Sequence, residues 1–248
     1  MQDFHYRTDI LIVGAGMAGL TAAAALQPTG RSLLVIDKGR AVGGRLASRR
    51  IGLATFDHGA QFMTARDPRF VALVERWRDE GVVEEWYRRS TEDAAEHPRW
   101  RGKPIMRAVA GHLARQVHVL LEKPVVSLRR HPDGWEAALA SGETVLARAA
   151  LLTAPAPQSL ALLESGGIEL PRTTRTHLES AEYERCLAVM AVLDGPTRLP
   201  PPGGLALTDG PIAWIADNQR KGVSATPAVT LHATAAFSLE HWDRDRED

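Results

Sequence analysis

The sequence predicts an α/β protein that opens with a Rossmann-type βαβ unit and carries a second, mixed sheet in its final third. Three observations lead there. Asp9–Val13 is an apolar run that reads as a buried parallel strand. Met17–Leu26 is alanine-rich and reads as a helix packed closely on a sheet, ended by Pro28 and Gly30, with a second apolar strand at Leu33–Ile36. Strand, glycine turn, helix and strand within so few residues make a βαβ unit with a right-handed crossover. From residue 186 onward, short strand-like runs alternate with Pro/Gly-rich turns, and such a segment would form a second sheet.

The remaining elements follow in order. Asp67-Pro68 is an N-cap followed by proline at the first helical position, with Phe70, Val71, Val74 and Trp77 facing inward and Gly81 as the stop. A second helix is expected from Ile105 to about Gln116. Val125–Arg130, Trp135–Ala140 and Glu143–Arg148 alternate with period two between turn signals, an antiparallel meander set into a parallel plan. Leu151-Leu152-Thr153 returns to the buried-strand type, and a short helix is expected around Gln158–Leu163. Cys186–Leu193, Gly204–Leu207, Ile212–Ala216 and Ala228–Ala233 are the strands of the second sheet.

Composition narrows the function. The chain has 248 residues, 44% hydrophobic and 24% charged, with Lys plus Arg 30 balancing Asp plus Glu 30. Zero net charge argues against a broad footprint for nucleic acid or an anionic membrane. The lone cysteine, Cys186, excludes an internal disulfide framework; set before an apolar strand, it reads as a small buried hydrophobe. The nine histidines show no HxH or HExxH spacing, so no metal site is expected. Arg49-Arg50, Arg88-Arg89 and Arg129-Arg130 read as solvated faces. Met1–Asp9 lacks the order of a secretory signal, and the apolar run Ile10–Leu26 is interrupted by Gly14, Gly16 and Gly19. The expectation is a soluble, cytoplasmic protein.

The most informative motif is Gly14-Ala15-Gly16-Met17-Ala18-Gly19. Its first glycine permits the turn, its second lets a pyrophosphate approach the backbone, and its third lets the helix pack on the sheet. The helix start supplies unpaired N–H groups and partial positive charge. Asp37 closes the next strand, placed to accept from a ribose 2′-hydroxyl and to repel a 2′-phosphate. Gly43-Gly44-Arg45 would set a guanidinium near the same pyrophosphate. The competing reading is a glycine turn in a nucleotide-free α/β protein.

With Asp37-Lys38, Gly43-Gly44-Arg45 and Phe56-Asp57-His58-Gly59-Ala60-Gln61-Phe62, the chain resembles the bacterial branch of the renalase family. These are FAD-dependent oxidases related to the flavin amine oxidases. The likeness continues through Thr64–Phe70, Trp100–Met106, Thr153–Gln158, Trp214–Asn218 and Thr230–Ala233. It implies a p-hydroxybenzoate hydroxylase-like FAD-binding domain at 1–70 and 100–160, with an inserted mixed-sheet substrate domain at 71–99 and 161–248.

By the same resemblance, the positions matching Ala18, Arg45, Ala60 and Gln61 contact FAD. Val126 lies on the strand at the adenine side, and Ala154 lies close to the dinucleotide. With Gly14, Ala15, Gly16, Gly19, Asp37, Lys38 and Gly44, they form the expected cofactor set. Gln61, Trp214, Asn218 and His232 form the expected catalytic set, Gln61 at the flavin's reactive edge and Trp214 as an aromatic wall.

The implied reaction oxidises isomeric dihydronicotinamide dinucleotides to NAD(P)+, with O2 as acceptor and hydrogen peroxide as product. A dihydropyridine gains aromaticity on losing hydride, so no general base is required. Family members continue for several dozen residues beyond the point matching Asp248, so the resemblance implies that a glycine-rich strand–helix segment is missing. Two other readings stand beside this one. One is a truncated dinucleotide-binding module without catalysis. The other is a flavin amine oxidase acting on a small amine, which Tyr6, Tyr87 and Tyr183 alone would hardly furnish with an aromatic cage.

Overall fold

The computed structural model describes residues 4–88 and 97–244. Met1–Asp3 of the leader reading, Arg89 of the Arg88-Arg89 pair and the tail after Arg244 lie outside the described residues. In chain order the strands are β1 (Tyr6–Val13), β2 (Leu33–Ile36), β3 (Ser48–Ile51), β4 (Ala54–Asp57), β5 (Val83–Arg88), β6 (Pro98–Gly102) and β7 (His118–Leu120). They continue as β8 (Val125–His131), β9 (Gly134–Leu139), β10 (Thr144–Leu152), β11 (Ala188–Val192), β12 (Gly204–Ala206), β13 (Ile212–Asp217) and β14 (Ala228–Ala233). The helices are α1 (Met17–Leu26), α2 (Pro68–Asp79), α3 (Ala108–Ala114), α4 (Ala156–Ser165), α5 (Arg172–Glu179) and α6 (Ala235–Glu240).

Two compact units result, residues 1–44 with 110–182 and residues 45–109 with 183–248. Segments 45–70 and 100–109, assigned from sequence to the dinucleotide half, fall in the second unit. Segment 161–182, assigned to the substrate half, falls in the first.

The first unit is a sheet in the order β7-β2-β1-β10-β9-β8. β1 runs parallel to β2 and β10, and β2 runs parallel to β7. The Rossmann-type α/β fold read from the sequence is therefore present. Leu11, Val13, Leu34, Ile36, Leu128, Leu139 and Val145 form its buried core, which explains why β1 and β2 read as continuous apolar runs. One correction concerns the meander. Its third strand and the returning strand at Leu151–Leu152 are a single element, β10, whose first half pairs antiparallel with β9 while its whole length pairs with β1. A strand with different neighbours along its length has no single periodicity, which is why it read as two.

The second unit contains the antiparallel sheet β11-β14-β13-β12 and the hairpins β3–β4 and β5–β6. Phe56, Ala54 and Ala228 pack together as its buried core. α2 begins as read, with Asp67 accepting from the Arg69 N–H at 2.9 Å and Pro68 at the first position. Val74 and Trp77 are buried, whereas Phe70 and Val71 are only half-buried.

Two expectations are corrected here. α3 covers Ala108–Ala114 alone, because Ile105–Arg107 forms a turn in which the Ile105 carbonyl takes the Ala108 N–H at 2.9 Å. Cys186 precedes β11 and is exposed, so it is not a buried strand residue.

Candidate functional site

In the first unit the glycine turn joins β1 to α1. Gly14 has φ +115°, and Gly19 packs so tightly that a Cβ there would lie 2.0 Å from the Gly14 carbonyl oxygen. Both glycines are demanded by the fold. Gly16 differs: its φ is −81°, open to any residue, and a Cβ built on it meets nothing within 4 Å. The chain keeps a bare backbone where its own packing does not ask for one. α1 begins there without a side-chain cap and without an acidic residue in its first turn, so its amides are free for an anionic ligand.

The second glycine pair closes on the first. Gly43 N–H donates to the Ala15 carbonyl at 2.8 Å, and Gly16 and Gly43 form a parallel bridge. Asp37, at the end of β2, accepts from the Ala15 N–H at 2.6 Å and the Gly39 N–H at 2.7 Å. A carboxylate has about four acceptor positions, so two remain while the first two fix the turn. Lys38 is engaged with Gln158 at 2.9 Å, and Ala18 is exposed on the first turn of α1. Val126 is the extra residue of a bulge in β8 and is exposed. Ala154 follows Thr153, whose hydroxyl donates to the Val13 and Gly14 carbonyls at 3.0 and 3.2 Å. Sequence reading missed Thr153 as the residue that ties the end of β10 to the glycine turn.

In the second unit Asp57, the last residue of β4, is the hub. Its Oδ1 accepts from Ser48 Oγ at 2.6 Å and from the Met106 N–H at 3.0 Å. Its Oδ2 lies 2.9 Å from Lys221 Nζ, an ion pair with both side chains fully buried. Lys221 also donates to Gln61 Oε1 at 3.3 Å and lies over the Trp86 ring, 5.0 Å from its centroid. Burial pushes the Lys221 pKa down, and Asp57 opposes that shift. Gln61 Nε2 donates to the Asp57 and Gly59 carbonyls, so its amide is locked by the fold and by Lys221 together.

Around this hub stand four aromatic rings. Phe62 lies 5.7 Å from Trp214 and 6.3 Å from both Trp86 and Tyr87. Neighbouring strand residues ordinarily face opposite ways; the bulge between Glu85 and Tyr87 brings Trp86 and Tyr87 to the same partner. Gly204 makes room for them, since a Cβ there would come within 2.7 Å of Trp86 and 2.9 Å of Trp214. The tyrosine count thus underestimated the aromatic surroundings, which tryptophan and phenylalanine supply. Trp214 Nε1 is buried without a hydrogen-bond partner.

Asn218 and His232 also belong to this unit. Asn218 is buried with both amide ends engaged: Oδ1 accepts from the Asp57 N–H at 3.2 Å and Nδ2 donates to Thr230 Oγ1 at 2.9 Å. His232 sits opposite Trp214 across the β13–β14 ladder, 3.0 Å from the His58 carbonyl through Nε2. A carbonyl can only accept, so Nε2 carries the hydrogen and Nδ1 is the basic nitrogen. Burial lowers the pKa of both His232 and His58, and Arg49 adds to the shift of His58. Arg45 is exposed, and its carbonyl takes the Ala60 N–H at 2.8 Å. Lys221, Trp86 and Phe62 were not foreseen; no periodicity in Asn218-Gln219-Arg220-Lys221 distinguishes a buried lysine from a turn residue.

Two family patterns match the chain in succession. The NAD(P)-binding Rossmann-like domain pattern matches residues 12–77, and the flavin-containing amine oxidoreductase pattern matches residues 85–246, well over half the chain. Over 67 residues, 27% of the chain, it is 37% identical to putrescine oxidase of Kocuria rosea, a stretch that spans 14% of that relative. Wild-type putrescine oxidase bound to putrescine aligns with TM-score 0.72 at 16% identity, covering 97% of this chain and 78% of that one. A Pyrococcus furiosus protein gives TM-score 0.66 at 14% identity, covering 96% and 83%. No described helix is long and apolar enough to cross a membrane. The bare Gly16 and the uncapped start of α1 suit the diphosphate of a flavin dinucleotide. The chain belongs to the flavin-containing amine oxidoreductases, with FAD as its cofactor.

Proposed function

We propose that the protein is an oxidase of the renalase type, converting isomeric dihydronicotinamide dinucleotides to NAD(P)+. When bound, FAD would supply the two-electron redox chemistry that links oxidation of the dihydropyridine to reduction of O2 to hydrogen peroxide. In the first unit Gly14, Ala15, Gly16, Ala18 and Gly19 would hold the diphosphate, and the two remaining acceptor positions of Asp37 would take ribose hydroxyls. Gly44, Ala154 and Val126 would border the dinucleotide. In the second unit Trp214 and Phe62 would stack on the substrate ring, with Gln61, Asn218 and His232 fixing its surroundings.

One observation carries this choice of substrate. The aromatic faces already hold the chain's own cations, Lys221 over Trp86 at 5.0 Å and Arg99 over Phe62 at 4.9 Å. The described carboxylates on the elements that build the cluster are each matched. Asp57 pairs with Lys221, Glu84 with Arg101 and Lys103, Glu85 with Arg88, and Asp217 with Arg220. Among the described residues a protonated amine would meet two like charges and no spare anion, whereas a neutral dihydropyridine with phosphates attached meets no repulsion. The four-ring cluster, with the family's name, favours a second reading, oxidation of a small amine. Anaerobic mixing decides between them. Bleaching of the bound FAD spectrum by a dihydronicotinamide isomer, and not by putrescine, is expected; bleaching by putrescine alone would overturn the proposal.

A further inference from the structure

We infer that Arg99 is a specificity-determining residue that seats an oxyanion of the substrate. The inference rests on the reading of the aromatic cluster as the substrate side. Met63 and Trp100 form an antiparallel bridge, with N–H···O contacts of 2.8 and 2.9 Å in both directions. Side chains alternate along extended chain, so Phe62 and Thr64 fall on the same side as Arg99. The guanidinium accordingly lies over the Phe62 ring, and Nη1 donates to Thr64 Oγ1.

Among the described residues its charge is unanswered. Arg101, two residues along β6, pairs with Glu84, which sits directly opposite it on β5. Opposite Arg99 stands Tyr87 instead, and among the described residues no carboxylate reaches Arg99. Arg99 is half-buried, and its Nε is a buried donor without an acceptor. A hydroxyl and a ring face compensate a guanidinium only in part, because neither carries negative charge. An oxyanion completes it, with the fork geometry that arginine presents to carboxylate and phosphate alike. The same loss of water that makes the bare charge costly strengthens the contact once an anion arrives.

The test measures binding to the FAD-loaded protein by quenching of tryptophan fluorescence, in wild type, Arg99→Gln and Arg99→Lys. The probes are nicotinamide mononucleotide, nicotinamide riboside, inorganic phosphate and succinate. Wild type should bind the mononucleotide about tenfold or more tightly than the riboside. Arg99→Gln should erase that preference without weakening riboside binding, and Arg99→Lys should keep part of it. Melting temperature checks that the variants fold. An unchanged preference in Arg99→Gln overturns the inference, as does the absence of any anion binding in wild type. If neither nicotinamide compound binds while phosphate or succinate does so through Arg99, the seat stands and the dihydronicotinamide reading falls. Phosphate and succinate then distinguish a phosphorylated substrate from a carboxylic acid.

Discussion

Lys221 Nζ stands 2.9 Å from Asp57 Oδ2, with no exposed surface on either side chain. The pair welds the turn after β13 to the end of β4, and through Gln61 and Trp86 it reaches the residues proposed to face substrate. Two charges taken out of water are held by each other, so the sensitive step is removal of one partner alone.

Lys221→Met should therefore destabilise by about 3–5 kcal/mol, since it strands a buried carboxylate. Adding Asp57→Asn should recover much of that loss, because Asn keeps the Oδ1 acceptor used by Ser48 and Met106 and carries no charge. Urea unfolding of the two single variants and the double variant measures the coupling. Additive losses would mean that the pair does not act as a unit.

Stability should fall as pH drops through about 6.5, the ordinary histidine value from which His58 and His232 are both lowered. The sign follows from linkage. The unfolded chain takes up protons at these groups before the folded one does, so their contribution is complete above 6.5 and is lost below it. Glu143 acts in a separate, more acidic window, because the hydrogen bond from Lys123 holds its pKa at about 2. Melting temperatures between pH 8 and pH 5 for wild type and His232→Gln test this (the variant keeps a donor for the His58 carbonyl). A flatter profile is expected in the variant, and an identical profile would remove His232 from the account.

Gly204→Ala should disturb the aromatic cluster, because its new methyl would stand 2.7 Å from Trp86 and 2.9 Å from Trp214. Overpacking of this kind costs about 1–3 kcal/mol. Near-ultraviolet circular dichroism, dominated by the tryptophans, should change with it. An unaltered spectrum and melting temperature would show that the rings move apart freely.

Legibility in the sequence differed between the two units. β1, α1 and β2 were readable because the Rossmann unit is local, its apolar runs and glycines lying within one short stretch. The cap of α2 at Asp67-Pro68 was readable for the same reason. The aromatic cluster was not, because its position depends on a bulge that turns Trp86 toward Phe62 and on a glycine, Gly204, far away in sequence. Lys221 was hidden because its burial is set by Asp57 and Gln61, more than a hundred residues earlier. β10 misled because its two halves have different neighbours, and Asn218, expected in the catalytic set, has both amide ends engaged within the fold.

The central claim is that Gly16 is kept bare for the FAD diphosphate and not for the fold. Flavin bound per chain, measured beside the melting temperature of the FAD-free protein, tests it in Gly16→Val and Gly19→Ala. Gly16→Val should lose FAD and leave the FAD-free melting temperature nearly unchanged, since a Cβ at this position meets nothing within 4 Å. Gly19→Ala should lower the melting temperature itself, since its methyl meets the Gly14 carbonyl. Wild-type flavin content in Gly16→Val would contradict the claim.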